Sequence, residues 1–183
     1  RSKPAIGTSL ANGKGDKTVA AAKDTQLIDT IAYVGLDTSK WYVFEGTLMV
    51  KDSGDPLVEH GKPVTVMSEP FKPARPDGTA KVSFIIDTTN LDGKDLVAFE
   101  NCYRLNEFKK GDDVTKADKT VVADHKDLND EGQTVKVSKT AKSVPPKTGD
   151  DTLFWLYGII FTAAMGSMLT LVIKEYVRRR KRS

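Results

Sequence analysis

Short alternating or β-branched runs, broken at close intervals by turn chemistry, restrict most of this chain to β structure. The runs are Gln26–Val34, Trp41–Lys51, Pro63–Ser68, Thr79–Asp87, Leu96–Tyr103 and Thr134–Val137. Between them stand Asp52-Ser53-Gly54-Asp55-Pro56, Pro76-Asp77-Gly78 and Asp92-Gly93. These residue types supply positive φ, a fixed φ, or a side chain that bonds its own backbone. No long stretch before the C-terminal tail carries a helical period. An all-β fold, an immunoglobulin-like β-sandwich, is expected over residues 1–140, a normal single-domain size.

The tail follows other rules. From Leu153 to Ile173 there is no Asp, Glu, Lys or Arg. As a helix those residues would reach roughly 31 Å, enough to cross a bilayer core. Lys174, Arg178, Arg179, Arg180, Lys181 and Arg182 follow, a cluster that stays cytoplasmic. Residues 150–183 therefore read as one C-terminal transmembrane helix and a basic tail, with the N-terminal domain outside the cell. Just before them, residues 141–149 form a polar stalk ending in Pro145-Pro146-Lys147-Thr148-Gly149. Motif, span and basic tail together resemble a Gram-positive cell-wall sorting signal. Pro145 stands where that signal usually has Leu, and Val144-Pro145-Pro146 matches the pilin-type variant. The resemblance implies a sortase as partner. It would cleave after Thr148 and join Thr148 to peptidoglycan or a pilin subunit, the membrane holding only the precursor.

Charge follows the same division. Residues 150–183 carry 6 basic and 3 acidic residues, leaving 22 of each in residues 1–149. The net charge of +3 thus belongs to the tail, and the exposed domain has no basic field for a nucleic acid. The chain opens at Arg1 without Met or a secretory apolar segment, so a signal peptide and further domains are expected upstream. An exported protein is free to form disulfides, yet Cys102 is the single cysteine. Any covalent reinforcement must use other chemistry.

Polar residues on apolar faces are where such chemistry would show. Strict alternation puts Leu96, Ala98, Glu100 and Cys102 on one face, against Val97, Phe99, Asn101 and Tyr103 on the other. It also groups Gln133 with Val135 and Val137, and Thr8 with Ile6 and Leu10. A buried carboxamide costs a few kcal/mol unless it is bonded. Thr8 and Gln133 are therefore candidates for a buried pair joining the two ends of the domain. Alternation alone favours two hydrogen-bonded edge residues.

A resemblance shifts that balance. Ile28-Asp29-Thr30, Gly46-Thr47-Leu48-Met49, Gly61-Lys62-Pro63-Val64, Val97-Ala98-Phe99-Glu100 and His125-Lys126-Asp127-Leu128-Asn129-Asp130-Glu131-Gly132-Gln133 resemble, in order, a VaFE-repeat domain. This surface-adhesin module forms an intramolecular Thr–Gln ester. The resemblance covers nearly all of residues 4–137. It implies Thr8 as nucleophile, Gln133 as electrophile with loss of ammonia, and His125, Asp130 and Glu100 as the groups that promote the step. No metal or cofactor is implied.

Those residue types suit the reaction. An alcohol needs a base to take its proton, and an imidazole titrates near neutrality. An amide nitrogen departs only when protonated, so an acid is needed too. A carboxyl held neutral by an apolar wall can serve, and two close carboxyls such as Asp130 and Glu100 favour a shared proton. The order of roles stays open at this point. The reaction runs once per molecule and is maturation, not turnover.

Other assignments compete. Thr25 and Thr30 precede or lie in the second strand, Thr30 as ordinary β-branched packing. Lys3, Lys14 or Lys17 with Asn129 would suit a Lys–Asn isopeptide. His125 lies in a polar loop, where a lone His is usually solvated, and His60 reads as surface. Asp127, Asn129, Asp130 and Glu131 lack the full spacing of a calcium loop. A ligand-binding adhesin domain would use exposed positions such as Trp41, Phe71, Arg75 and Phe108 to hold a host surface ligand. A hydrolase would need an accessible nucleophile, and no nucleophile elbow, metal cluster or phosphate loop is present.

Overall fold

Alternation decides which side chains face inward. Leu27, Asp29 and Ile31 are buried while their neighbours Gln26, Ile28 and Thr30 are less so, and Val82, Phe84 and Ile86 alternate in the same way with exposed Lys81, Ser83 and Ile85. Each buried aliphatic or aromatic side chain contributes about 1.5–3 kcal/mol relative to an exposed one. A slip of one residue would turn every such set outward, so the register is firmly specified.

The computed structural model describes residues 3–141. In chain order the strands are β1 (Ala5–Asn12), β2 (Thr18–Ala20), β3 (Thr25–Val34), β4 (Trp41–Val50), β5 (Asp55–Pro56), β6 (Val58–Glu59), β7 (Lys62–Pro63), β8 (Thr65–Met67), β9 (Gly78–Ile86), β10 (Asp95–Leu105), β11 (Lys119–His125) and β12 (Thr134–Ser138). Short 3-10 turns at Val114–Lys116 and Glu131–Gln133 precede β11 and β12. One sheet has the order β1-β3-β9. The other runs β2-β12-β10-β4-β5, with β11 also paired to β10 and β8 to β4. Between them lies one main core, in which Leu10, Leu27, Ile31 and Phe84 meet Phe44, Leu48, Leu96, Val135 and Val137. Phe71 closes one end by stacking on Phe44 at 5.4 Å between centroids. The domain is an all-β sandwich.

The strands expected from alternation are present with ends moved by one or two residues, except that Pro63–Ser68 divides at Val64. Lys62–Pro63 pairs with β6, and Thr65–Met67 pairs with β4. Strands β1, β2, β5, β6 and β11 are additions to the expected runs, and β5 falls at Asp55–Pro56, which the sequence suggests as turn. β2 is three residues long and lies parallel to β12, and β11 is a half-exposed edge strand ending at His125. His125 is thus a strand residue opposite Glu100 rather than part of a polar loop. The stalk, Pro145-Pro146-Lys147-Thr148-Gly149 and the transmembrane segment lie outside the described residues.

Candidate functional site

Three elements bring the site together. Strand β1 runs antiparallel to β3, pairing Thr8 with Ile31 and Leu10 with Asp29. Because Thr8 and Leu10 share a face, Asp29 is the diagonal cross-strand neighbour of Thr8. In the second sheet, Glu100 of β10 lies between Gly46 of β4 and His125 of β11. The third element is the turn Glu131–Gln133, which ends where β12 enters the sheet beside β10. First strand, last strand and sheet interior therefore meet at one buried point.

Thr8 and Gln133 occupy that point. Gln133 Nε2 lies 2.5 Å from Thr8 Oγ1 across 125 residues of sequence. The two residues are 0–1 % exposed. The Gln133 carbonyl oxygen Oε1 is buried and accepts no hydrogen bond.

Asp130 sets the position of the turn. Its Oδ1 accepts the Gly132 N–H at 2.7 Å, and its own carbonyl accepts the Gln133 N–H at 3.1 Å and the Thr134 hydroxyl at 2.7 Å. Its Oδ2 lies 2.9 Å from His125 Nε2, an ion pair when the imidazole is protonated. The other imidazole nitrogen, Nδ1, faces the Ile6 carbonyl of β1 at 3.5 Å. His125 therefore ties the turn to the first strand through Asp130.

Asp29 and Glu100 are both 0 % exposed, and none of their four carboxyl oxygens has a hydrogen-bond partner of ordinary distance and angle. They face each other closely enough to interact, and Asp29 also faces the Thr8 hydroxyl. Burial raises the proton affinity of each. For Glu100, the neighbouring Asp29 charge raises it further. For Asp29, interaction with Glu100, Lys17, Thr8 and His125 opposes the effect of burial. One carboxyl is thus kept neutral while the other is the first to ionise, the arrangement by which a pair shares a proton.

Asp29 is the site residue that reading the sequence did not single out. A signal was present, since Leu27-x-Asp29-x-Ile31 puts a carboxyl on the apolar face of a strand. Among the predicted residues, Thr8 meets Gln133 and His125 meets Asp130, while Glu100 meets Asp29 rather than Asp130. Among the competing residues, Lys17 reaches the site, its ammonium donating to the Leu10 and Gly132 carbonyls, while Thr25 and Asn129 stand elsewhere. Thr25 Oγ1 donates to the Ala22 carbonyl at 3.1 Å and lies 2.8 Å from Thr88 Oγ1, and Asn129 is exposed. His60 occupies the turn between β6 and β7, at φ 51°. Trp41 and Phe108 contact edge to face at 5.6 Å, whereas Phe71 belongs to the core and Arg75 is exposed, so the four form no common surface. Cys102 is fully buried, and burial pushes its thiol up to about 12. No group of His, Cys, Asp and Glu with metal-binding geometry occurs among the described residues.

A family model described as a T-Q ester bond containing domain matches residues 4–137. The chain belongs to that family. Among solved structures, the T-Q ester bond domain is similar to a bacterial adhesin from Mobiluncus mulieris containing intramolecular disulfide, isopeptide and ester bond cross-links, solved in two space groups. In space group P1 the TM-score is 0.57 at 17% identity, over 74% of this chain and 57% of the adhesin chain. In P21 the TM-score is 0.55 at 17% identity, over 73% and 56%. The C-terminal domain of wzt matches with a TM-score of 0.51 at 14% identity, over 81% and 83%. At such identities the likeness is one of fold. The match spans a little over half of the adhesin chain. No curated protein sequence matches.

Proposed function

We propose that this T-Q ester bond domain joins Thr8 Oγ1 to Gln133 Cδ in an intramolecular ester and serves as a covalently reinforced segment of a cell-surface adhesin. The observation that carries the reading is the buried contact between a hydroxyl on the first strand and a carboxamide in the turn that leads into the last. Ionised Asp29 takes the Thr8 proton as Oγ1 attacks Gln133 Cδ. Neutral Glu100 supports the negative charge that develops on Oε1, which accepts no hydrogen bond among the described residues. When the C–N bond breaks, the nitrogen takes the proton held by Asp29 and leaves as ammonia. Both carboxyls return to their starting state. The chain reacts once and is not an enzyme in the turnover sense.

Folding provides the proximity, and the apolar surround keeps water from the product ester. A crosslink closing so long a loop stabilises by roughly 4–5 kcal/mol on the chain-entropy account used for disulfides. It also directs tension between the C-terminal anchor and any upstream segment through covalent bonds. In this reading a sortase transfers Thr148 to peptidoglycan or a pilin subunit after the membrane has held the precursor, and any host ligand is bound elsewhere in the longer protein.

Intact mass tests the central step. The parent should be lighter than its sequence by one ammonia, and Thr8→Ala and Gln133→Ala should each be at full mass. A parent at full mass would falsify the ester. A loss of ammonia that survives Thr8→Ala would assign the nucleophile to another residue.

A further inference from the structure

Lys17 lies in the connection between β1 and β2 and has no part in the bond-forming chemistry above. The residue is exposed, but its ammonium is not free in solvent. It donates to the Leu10 carbonyl of β1 and to the Gly132 carbonyl at 2.5 Å, with Ser9 Oγ at 3.4 Å. Leu10 is two residues beyond Thr8, and Gly132 immediately precedes Gln133. One ammonium therefore bridges the two backbones whose side chains must react. The Lys17 backbone is tied to the same place, its carbonyl accepting the Lys136 N–H of β12 at 2.8 Å.

We propose that Lys17 is a positioning residue for ester formation, clamping the Thr8 strand to the Gln133 turn and holding a positive charge that keeps Asp29 ionised beside neutral Glu100. This role presupposes the Thr8–Gln133 ester. The charged groups it faces are Asp29 from β3 and Asp130 from the turn. Glu100 of β10 and His125 of β11 complete the set around Asp29. A cation here costs desolvation, which lowers the Lys17 pKa against the pull of Asp29 and Asp130. A lysine kept only to fill space would have no reason to bring its charge to two carbonyls at this site. The same two contacts would serve a bond-forming step that requires two strands in register and one carboxyl deprotonated.

The experiment uses the full chain, isolated unfolded in denaturant from insoluble material and diluted into buffers of increasing pH. Intact mass is followed in time for the parent, Lys17→Met and Lys17→Arg. Lys17→Met should lose ammonia about tenfold more slowly at neutral pH, with the rising limb of its rate displaced upward by about one pH unit, as expected for removal of a nearby charge. Lys17→Arg should restore most of the rate and hold it to higher pH than the parent, because a guanidinium keeps its proton. Thermal unfolding of Thr8→Ala with and without Lys17→Met separates folding from chemistry, since neither can form the ester. If Lys17→Met does not fold, the alkaline arm of Lys17→Arg carries the test. Equal rates and pH profiles in parent and Lys17→Met would overturn the role. Slowing that is uniform in pH and not rescued by Arg would overturn it too, leaving a purely structural contact. A parent that keeps its ammonia would instead overturn the ester itself.

Discussion

Glu100 and Gly46 lie directly opposite each other on β10 and β4, and the Glu100 carboxyl fills the space that a side chain on Gly46 would need. A Cβ there would overlap Glu100 Oε1 and come within 2.7 Å of Phe84 Cζ. Gly46 therefore makes the pocket in which a charged residue type is held neutral inside the sandwich.

Gly46→Ala should accordingly injure the chemistry and the fold together. Either Glu100 or the Phe84 ring must move, and overpacking of this kind costs about 1–3 kcal/mol. In a Thr8→Ala background, which cannot crosslink, Gly46→Ala should lower the denaturant midpoint by that amount. With Thr8 present, ammonia loss should slow markedly. Ammonia loss at the parent rate would mean that the position of Glu100 does not matter to the step.

The crosslink should dominate the stability of the mature domain. Thr8→Ala removes it at the cost of one hydroxyl and one methyl, and should lose roughly 4–5 kcal/mol in chemical denaturation. Thr8→Ser keeps the nucleophilic oxygen and should still release ammonia. A Thr8→Ala variant as stable as the parent would show that the ends of the domain are held adequately without the ester.

How much of this was legible in the sequence depended on burial. Strands such as β3, β9 and β10 alternate strongly because each buries an apolar face, and that alternation grouped Glu100, Gln133 and Thr8 with apolar neighbours without deciding which face is buried. β11 carries a weak pattern because it is a half-exposed edge strand, so His125 looked like a loop residue. Asp29 was overlooked although its strand was found, since a lone acid in an otherwise apolar face gives no sign of its partner until β10 is packed against it. Lys17 stood out only as one of three lysines for an isopeptide, and nothing in the sequence marked it for the ester site. Its site is made of backbone carbonyls from Leu10 and Gly132, and main-chain acceptors leave no residue pattern.

Acidity should stabilise the uncrosslinked fold. Burial raises Asp29 from 3.8 to about 7 and raises Glu100 further. The folded chain then binds more protons than the unfolded chain above the ordinary carboxylate range. The associated stability is complete below about pH 4 and is lost as pH rises through about 7. Thr8→Ala should therefore melt at a higher temperature at pH 5 than at pH 8. Adding Asp29→Asn should reduce that difference, the remainder coming from Glu100. A melting temperature that instead rises between those pH values would mean that Asp29 and Glu100 are not protonated in the folded domain.

His125 and Asp130 should act as one unit, with Asp130 the more important member. Asp130 accepts the Gly132 N–H and positions Gln133, whereas His125 reaches the turn only through Asp130 Oδ2 and touches β1 at the Ile6 carbonyl. Asp130→Ala loses the cap, about 1 kcal/mol of local stability, and releases Gln133 from its place. Ammonia loss should be slowed by His125→Ala and slowed more by Asp130→Ala. The double variant should be no slower than Asp130→Ala alone, because the histidine has then already lost its partner. The reverse order, with His125→Ala abolishing the reaction and Asp130→Ala milder, would identify the imidazole as the direct base for Thr8 and displace Asp29 from that role.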